Sequence, residues 1–295
     1  QTYADMRFLC LHGMGTSGAI FSSQTAAFRS KLNDRFIFDF VDAPHNSPPA
    51  WGVEAFFPPP NYTFWQSIDP GDIAEAHQWL REFITRTGEK YDAVLCFSQG
   101  CAVIASLILQ HNNEHPEQPL PFKGIIFICG GMPLQILDTL GLPVSTAARD
   151  INIKSGLDLH KKAGAAASEI AEMLQATASQ RREMRGLWDD TANLVHGEGA
   201  SDPNQLPEVD PTNVYGLDFT RIPECLKISI PTVHIYGVKD PRYCSGVQLA
   251  HFCTADNRMV YDHRGGHEIP RTTAVSEKIA DAVLWLESMI DKETD

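Results

Sequence analysis

The feature that most constrains what this chain can fold into is a rhythm. Short, nearly uninterrupted apolar runs alternate with longer stretches whose apolar residues recur at helical spacing. The runs are Arg7–Leu11, Phe36–Val41, Ala93–Cys96, Gly124–Cys129, Thr232–Tyr236 and Arg258–Asp262. Strands that are hydrophobic at nearly every position, rather than at alternate ones, are covered on both faces, as in a parallel sheet built from βα units. Between the runs, Asp72–Thr87 sets Ile73, His77, Leu80 and Ile84 on one helical stripe, and Val103, Ile104, Leu107 and Ile108 form another. Near the end, Val275, Ile279, Val283, Leu286 and Ile290 recur at spacings of four and three, which predicts an amphipathic helix over Thr272–Ile290 lying on the sheet. The expected class is α/β, a mostly parallel sheet flanked by helices. At 295 residues and 43% hydrophobic content the chain is long enough to bury such a core.

Two segments break the rhythm. Residues 44–66, "PHNSPPAWGVEAFFPPPNYTFWQ", are too rich in aromatics for a solvated linker and too broken by proline for a helix or strand, and read as a loop over a binding site. Their Trp51, Phe56, Phe57, Tyr62, Phe64 and Trp65 suit either the wall of an apolar pocket or a satellite core beneath the loop. The second segment, residues 132–222, holds an Ala-rich helical centre, Leu159–Trp188, with Ile170, Met173, Leu174, Ala178 and Met184 roughly on one side; a polar, proline-bearing stretch, Gly197–Pro211, follows. An insertion there follows a strand, so the expectation is a core made of residues 1–131 and 223–295, with 132–222 as a helical lid over the sheet's carboxyl edge.

The charge balance argues against nucleic acid and anionic membrane as partners: 24 Lys and Arg stand against 37 Asp and Glu, net −13, with no basic run. The seven cysteines are odd in number and sit mostly inside apolar runs, as reduced thiols used as small core residues do. None is spaced as a zinc ligand. The N-terminal "QTYADMRFLCLHG" lacks the basic-then-apolar pattern of a secretory signal, and no run approaches the length that crosses a bilayer. A cytoplasmic protein is expected, and because the chain opens on Gln rather than Met, a few residues are expected upstream.

Chemistry concentrates at "AVLCFSQGCAV", Ala93–Val103, where a strand breaks at small residues around Ser98 and restarts as a helix. Such a turn exposes its central side chain, as in the Gly-x-Ser-x-Gly nucleophile elbow. Two thiols flank it, but Cys96 lies on the incoming strand and Cys101 on the helix, which leaves Ser98 at the apex. A serine hydroxyl attacks only when a base takes its proton, and the base needs a carboxylate to orient it. In the order serine, acid, histidine, each just after a strand, Asp240 stands in "GVKDPRY" and His267 in "RGGHEIP". His263 is a rival base at a strand end; Asp256 and Asp262 are rival acids, more simply read as turn and strand-end residues. Oxyanion donors are expected at the backbone N–H of Gln99 and, from "LHGMGTSG", of Met14. His12, Trp65 and Met132 are candidates to line the substrate pocket, although a His before Gly-x-Gly also suits bracing the oxyanion turn.

Together "LCLHGMGTSG", "CFSQG", "GVKDPRY" and "HRGGHEIP" resemble the fungal FSH-type serine hydrolases, a branch of the α/β-hydrolase superfamily that includes thioesterases releasing polyketides from their synthases in secondary metabolism. The resemblance covers roughly residues 6–131 and 223–291. It implies Ser98 as nucleophile, Asp240 as acid and His267 as base, esterase or thioesterase activity, and no metal or organic cofactor. It also implies an apolar acyl substrate, polyketide or fatty acyl, free or carried on a polyketide synthase. The family usually has Gly where this chain has Cys96, so the elbow must accommodate a thiol. Three other readings stand beside hydrolysis: capture of the acyl-enzyme by an internal nucleophile, giving cyclisation; a ligand receptor with a vestigial triad; and, last, a carbon–carbon or epoxide hydrolase, whose carboxylate nucleophile would require Asp at position 98.

Overall fold

The computed structural model describes residues 5–50, 52–175 and 186–294. In chain order the elements are β1 (Met6–Leu11), α1 (Gly18–Arg29), β2 (Phe36–Val41), β3 (His45–Asn46), β4 (Tyr62–Thr63), α2 (Pro70–Thr87), β5 (Ala93–Phe97), α3 (Gln99–Glu114), β6 (Gly124–Ile128), α4 (Leu134–Thr139), α5 (Thr146–Gln175), β7 (Thr232–Tyr236), α6 (Tyr243–His251), β8 (Arg258–Asp262) and α7 (Thr273–Thr294). Six strands form one sheet in the order β2-β1-β5-β6-β7-β8, and every neighbouring pair is parallel. Each predicted apolar run is one of these strands, with ends displaced by at most one residue.

Burial on both faces explains the uninterrupted runs. Phe8 and Cys10 of β1, Leu95 and Phe97 of β5 and Ile126 and Ile128 of β6 pack with Phe21 and Phe28 of α1 and Ile279, Val283 and Leu286 of α7. Their neighbours Leu9, Leu11, Val94, Cys96, Ile125 and Phe127 face the other way, against Ile73 and Leu80 of α2, Val103, Ile104 and Leu107 of α3 and Val247 of α6. Both sides of the pleat therefore bury apolar atoms, at roughly 25 cal/mol per Å2.

The chain runs from β1 outward to β2, then crosses back to place β5 on the other flank of β1. That reversal opens a crevice at the carboxyl ends of β1 and β5, where ligands bind in open α/β sheets.

The aromatic loop is less exposed than a pocket wall. Its β3–β4 pair is antiparallel and Thr16 bridges to Tyr62. Phe64 and Trp65 are part of the main core, Phe64 lying between His12 and Trp79, while Phe56 is exposed. Trp51 lies outside the described residues. The helix of the second segment, α5, begins thirteen residues before the expected Leu159, at Thr146. The side chains of Ile170, Met173 and Leu174, with the whole of Ala178 and Met184, lie outside the described residues. The polar stretch after it covers the open edge of the sheet: Asp262 N–H donates to Pro203 O (2.7 Å), and Arg264 donates to the carbonyls of Ala200 and Ser201.

Candidate active site

At the end of β5 the chain turns sharply at Ser98, whose φ of 51° and ψ of −112° are rarely adopted by a residue with a side chain. Its N–H still belongs to the sheet, donating to Ile128 O at 3.0 Å, and Gln99 begins α3. The turn brings α3 hard against β1: a Cβ on Gly100 would lie 2.4 Å from the Leu11 carbonyl oxygen, so only glycine fits there. The flanking thiols point away from the apex. Cys96 Sγ donates to Ile126 O (3.3 Å) and Cys101 Sγ to Ile128 O (3.4 Å), both fully buried between α3 and the sheet. Burial pushes the Cys96 thiol well up, which keeps it protonated.

Ser98 Oγ lies 2.8 Å from His267 Nε2, and His267 Nδ1 lies 2.8 Å from Asp240 Oδ2. Because a carboxylate only accepts, Nδ1 carries the proton and Nε2 is left to accept from the serine hydroxyl. Asp240, in the turn after β7, is 1% exposed, and its other oxygen accepts the Arg242 N–H at 2.7 Å. Burial alone raises its carboxyl, but the charge and hydrogen bond of His267 and the N–H of Arg242 outweigh that and hold it below the usual carboxylate range. Phe97 packs on the imidazole, ring centroids 5.2 Å apart. The rival residues sit elsewhere. His263 is buried and accepts from Gly265 N–H through Nδ1; Asp262 accepts the amides of Val238 and Arg264; Asp256 is exposed in a turn.

The loop after β1 lies beside the serine, since a Cβ on Gly13 would stand 3.3 Å from Ser98 Cβ. Ala43 N–H donates to His12 Nε2 (3.0 Å), so the ring's proton is on Nδ1, which donates to Gly13 O (2.7 Å); Thr16 Oγ1 donates to the same carbonyl (2.7 Å). The carbonyl of Gly13 and the N–H of Met14 belong to one trans peptide and point in opposite directions. Fixing the first therefore aims the second. Among the described residues no acceptor engages the Met14 amide. The Gln99 amide, first in α3, has no intrahelical acceptor and carries the positive end of the helix dipole.

His12 has no exposed surface and both its ring nitrogens are engaged, the geometry expected of a residue that braces the turn. Trp65 and Met132, the other expected wall residues, belong to the buried core beneath the site. Surface left open nearby belongs to the Met14 side chain, 60% exposed.

Three neighbours carry no local sequence signal. Cys129, just past β6 at φ 48°, has its Sγ within 4.8 Å of ligating atoms of Asp240 and His267. Among the described residues this is the grouping close enough to hold a metal ion, yet Nδ1 and the carboxylate bond each other and burial pushes the Cys129 thiol well up, so the donors are committed or protonated. Trp188, from the insertion, lies on the loop that carries His267: a Cβ on Gly266 would sit 1.9 Å from its ring. Arg242 reaches from the acid's turn to α5. Of the three only Arg242, two residues after Asp240, lies next in sequence to a residue the motifs single out.

Among the described residues no helix is long and apolar enough to cross a membrane. A parallel sheet that delivers serine after β5, acid after β7 and histidine after β8 is an α/β-hydrolase. Comparison with known proteins points the same way. The chain is 27% identical to "Esterase FPY3" of Fusarium mangiferae over 97% of this chain and 98% of that protein. It is 28% identical to "Esterase alnB" of Emericella nidulans over 95% of each. With "Thioesterase FSL2" of Gibberella zeae it shares 25% identity over 94% of this chain and 90% of that one. The family profile described as "Serine hydrolase (FSH1)" matches residues 2–279, running through the 132–222 insertion that the motifs alone leave out. Matched over that length, the chain belongs to the FSH1 family of serine hydrolases.

Proposed function

We propose that this enzyme cleaves an ester or thioester of a mostly apolar acyl group through an acyl-enzyme on Ser98. The observation that carries the reading is the continuous relay from a strained Ser98 through His267 to a buried Asp240, with both links at 2.8 Å. Ser98 Oγ attacks the carbonyl carbon while His267 Nε2 takes its proton. The imidazolium forms beside Asp240, which stays ionised and does not itself take the proton. Negative charge on the carbonyl oxygen falls to the amides of Gln99 and Met14, donors worth about a hundred-fold in rate each. His267 then protonates the departing alcohol or thiol, and the same nitrogen activates water to release the acid.

Apolar surface around the relay supports the acyl preference: Phe97 lies on the imidazole, Trp188 on the next loop, and Met14 is open beside the serine. Relatives named esterase and thioesterase support both leaving groups, and Trp188, lying against the loop that carries His267, supports reading the insertion as a lid. In this reading the acyl group arrives on a small molecule or on a carrier, with a polyketide synthase as its source.

The test is hydrolysis of p-nitrophenyl esters and N-acetylcysteamine thioesters from acetyl to decanoyl, with fluorophosphonate labelling. Ser98→Ala should lower kcat/KM by about ten-thousand-fold and abolish labelling, with Cys101→Ala close to wild type. The opposite pattern would overturn the assignment, and a preference for acetyl over decanoyl would refute the apolar substrate.

A further inference from the structure

The turn that carries Asp240 is tied to the insertion by one side chain. Arg242 Nη1 donates to Asn152 O (2.8 Å) and Ser155 Oγ (3.0 Å), and Nη2 donates to Asn152 Oδ1 (2.8 Å), all on α5. Its own N–H meanwhile holds Asp240 Oδ1 at 2.7 Å. One residue thus grips the long helix with its side chain and the carboxylate with its backbone.

The guanidinium's partners on α5 are all uncharged oxygens, and among the described residues no carboxylate lies within ion-pair distance of it. A partly buried cation without a paired anion is costly unless a charge nearby balances it. The groups facing Asp240 electrostatically are His267, Arg242, Cys129, Cys244, His196 and His263. Burial holds His263 at about 4 and lowers His196, so both are neutral near pH 7, and burial pushes both thiols up. Arg242 alone is a permanent cation.

We propose that Arg242 is a positioning residue of the Asp240–His267 pair: its backbone sets the carboxylate, and its guanidinium, seated on α5, fastens the turn and supplies the fixed positive charge beside it. Alignment of the relay then depends on the insertion's helix, so a segment outside the sheet sets the activity of groups at the sheet's edge. The inference rests on the relay being catalytic, and its test separates the two claims.

The experiment measures kcat, KM and the pH profile of kcat/KM on a p-nitrophenyl ester, with thermal midpoints as a check on folding. Arg242→Gln should lower kcat roughly ten- to a hundred-fold with little change in KM, because a misplaced relay slows chemistry more than binding. Loss of the cation lets the pair take up a proton more easily, so the acid limb of the profile should move to higher pH. Arg242→Lys keeps the charge and should leave the limb in place. The Asn152→Ala/Ser155→Ala double variant keeps Arg242 but removes two of its seats; it should lower kcat without moving the limb, and it covers the case in which Arg242→Gln fails to fold. Wild-type kcat in that double variant, or a limb that moves as far in Arg242→Lys as in Arg242→Gln, overturns the inference. Ser98→Ala in the same assay tests the reading beneath it. If that variant stays active the relay itself is wrong, and if it is inactive while Arg242→Gln matches wild type, only the inference fails.

Discussion

Replacing Ser98 by glycine and, separately, by alanine should produce two inactive proteins of different stability, with glycine the more stable. At φ 51° and ψ −112° a residue with a Cβ is strained by about 1–3 kcal/mol, a cost glycine does not carry. Glycine in turn loses about 0.4–1 kcal/mol through the greater freedom of its unfolded chain. Both variants lack the hydroxyl, so the lost hydrogen bond to His267 cancels in the comparison. The difference left is about 0.5–2 kcal/mol in favour of Ser98→Gly. For a chain of 295 residues the unfolding entropy is roughly 0.6 kcal/mol per kelvin, which places the midpoint of Ser98→Gly about 1–3 °C above that of Ser98→Ala. Urea unfolding followed by fluorescence, with calorimetric midpoints alongside, reads both quantities. A Ser98→Ala variant as stable as Ser98→Gly, or more so, would mean that the turn is relaxed and that the exposed hydroxyl is not held there against a backbone preference.

Gly100→Ala should lower stability by about 1–3 kcal/mol and reduce activity, since its Cβ would stand 2.4 Å from Leu11 O and push α3, with Ser98 and the Gln99 amide, off β1; an unchanged urea midpoint would show that the helix has room. Burial holds His77 and His263 at about 4, against 6.5 for a free histidine. Well above pH 6.5 both are neutral folded or unfolded; as pH falls through 6.5 toward 4 only the unfolded chain takes up their protons, so stability should drop, by at most about 3 kcal/mol for each. Urea midpoints between pH 7.5 and 4.5 should trace that decline, and His77→Gln should flatten it; a midpoint constant over that range would contradict the burial argument.

The strands were legible because each is an unbroken apolar run, and a run covered on both faces has few other places to go. The glycine of "SQGC" was legible only as part of the elbow pattern around Ser98; that Leu11 O leaves no room for a side chain there came from the structure. The chain order Ser98, Asp240, His267 could be read along one dimension because each follows its own strand, and the parallel sheet converts that order into proximity, bringing the three into hydrogen-bond contact. The aromatic loop was ambiguous because pocket wall and satellite core want the same side chains; packing against α2 put Phe64 and Trp65 in the core.

By itself, then, the sequence determined the sheet, the helices that cover it and the chemical character of three strand ends, since those are local matters of periodicity and turn chemistry. Only the tertiary structure set His267 rather than the rival His263 against Ser98, let the Ala43 amide fix the His12 ring that aims a peptide through the Gly13 carbonyl, and joined Arg242 in the acid's turn to Asn152 across 90 residues of sequence. Each of those depends on the relative placement of side chains from separate loops and helices, and a contact between residues so far apart leaves no periodic trace in either segment.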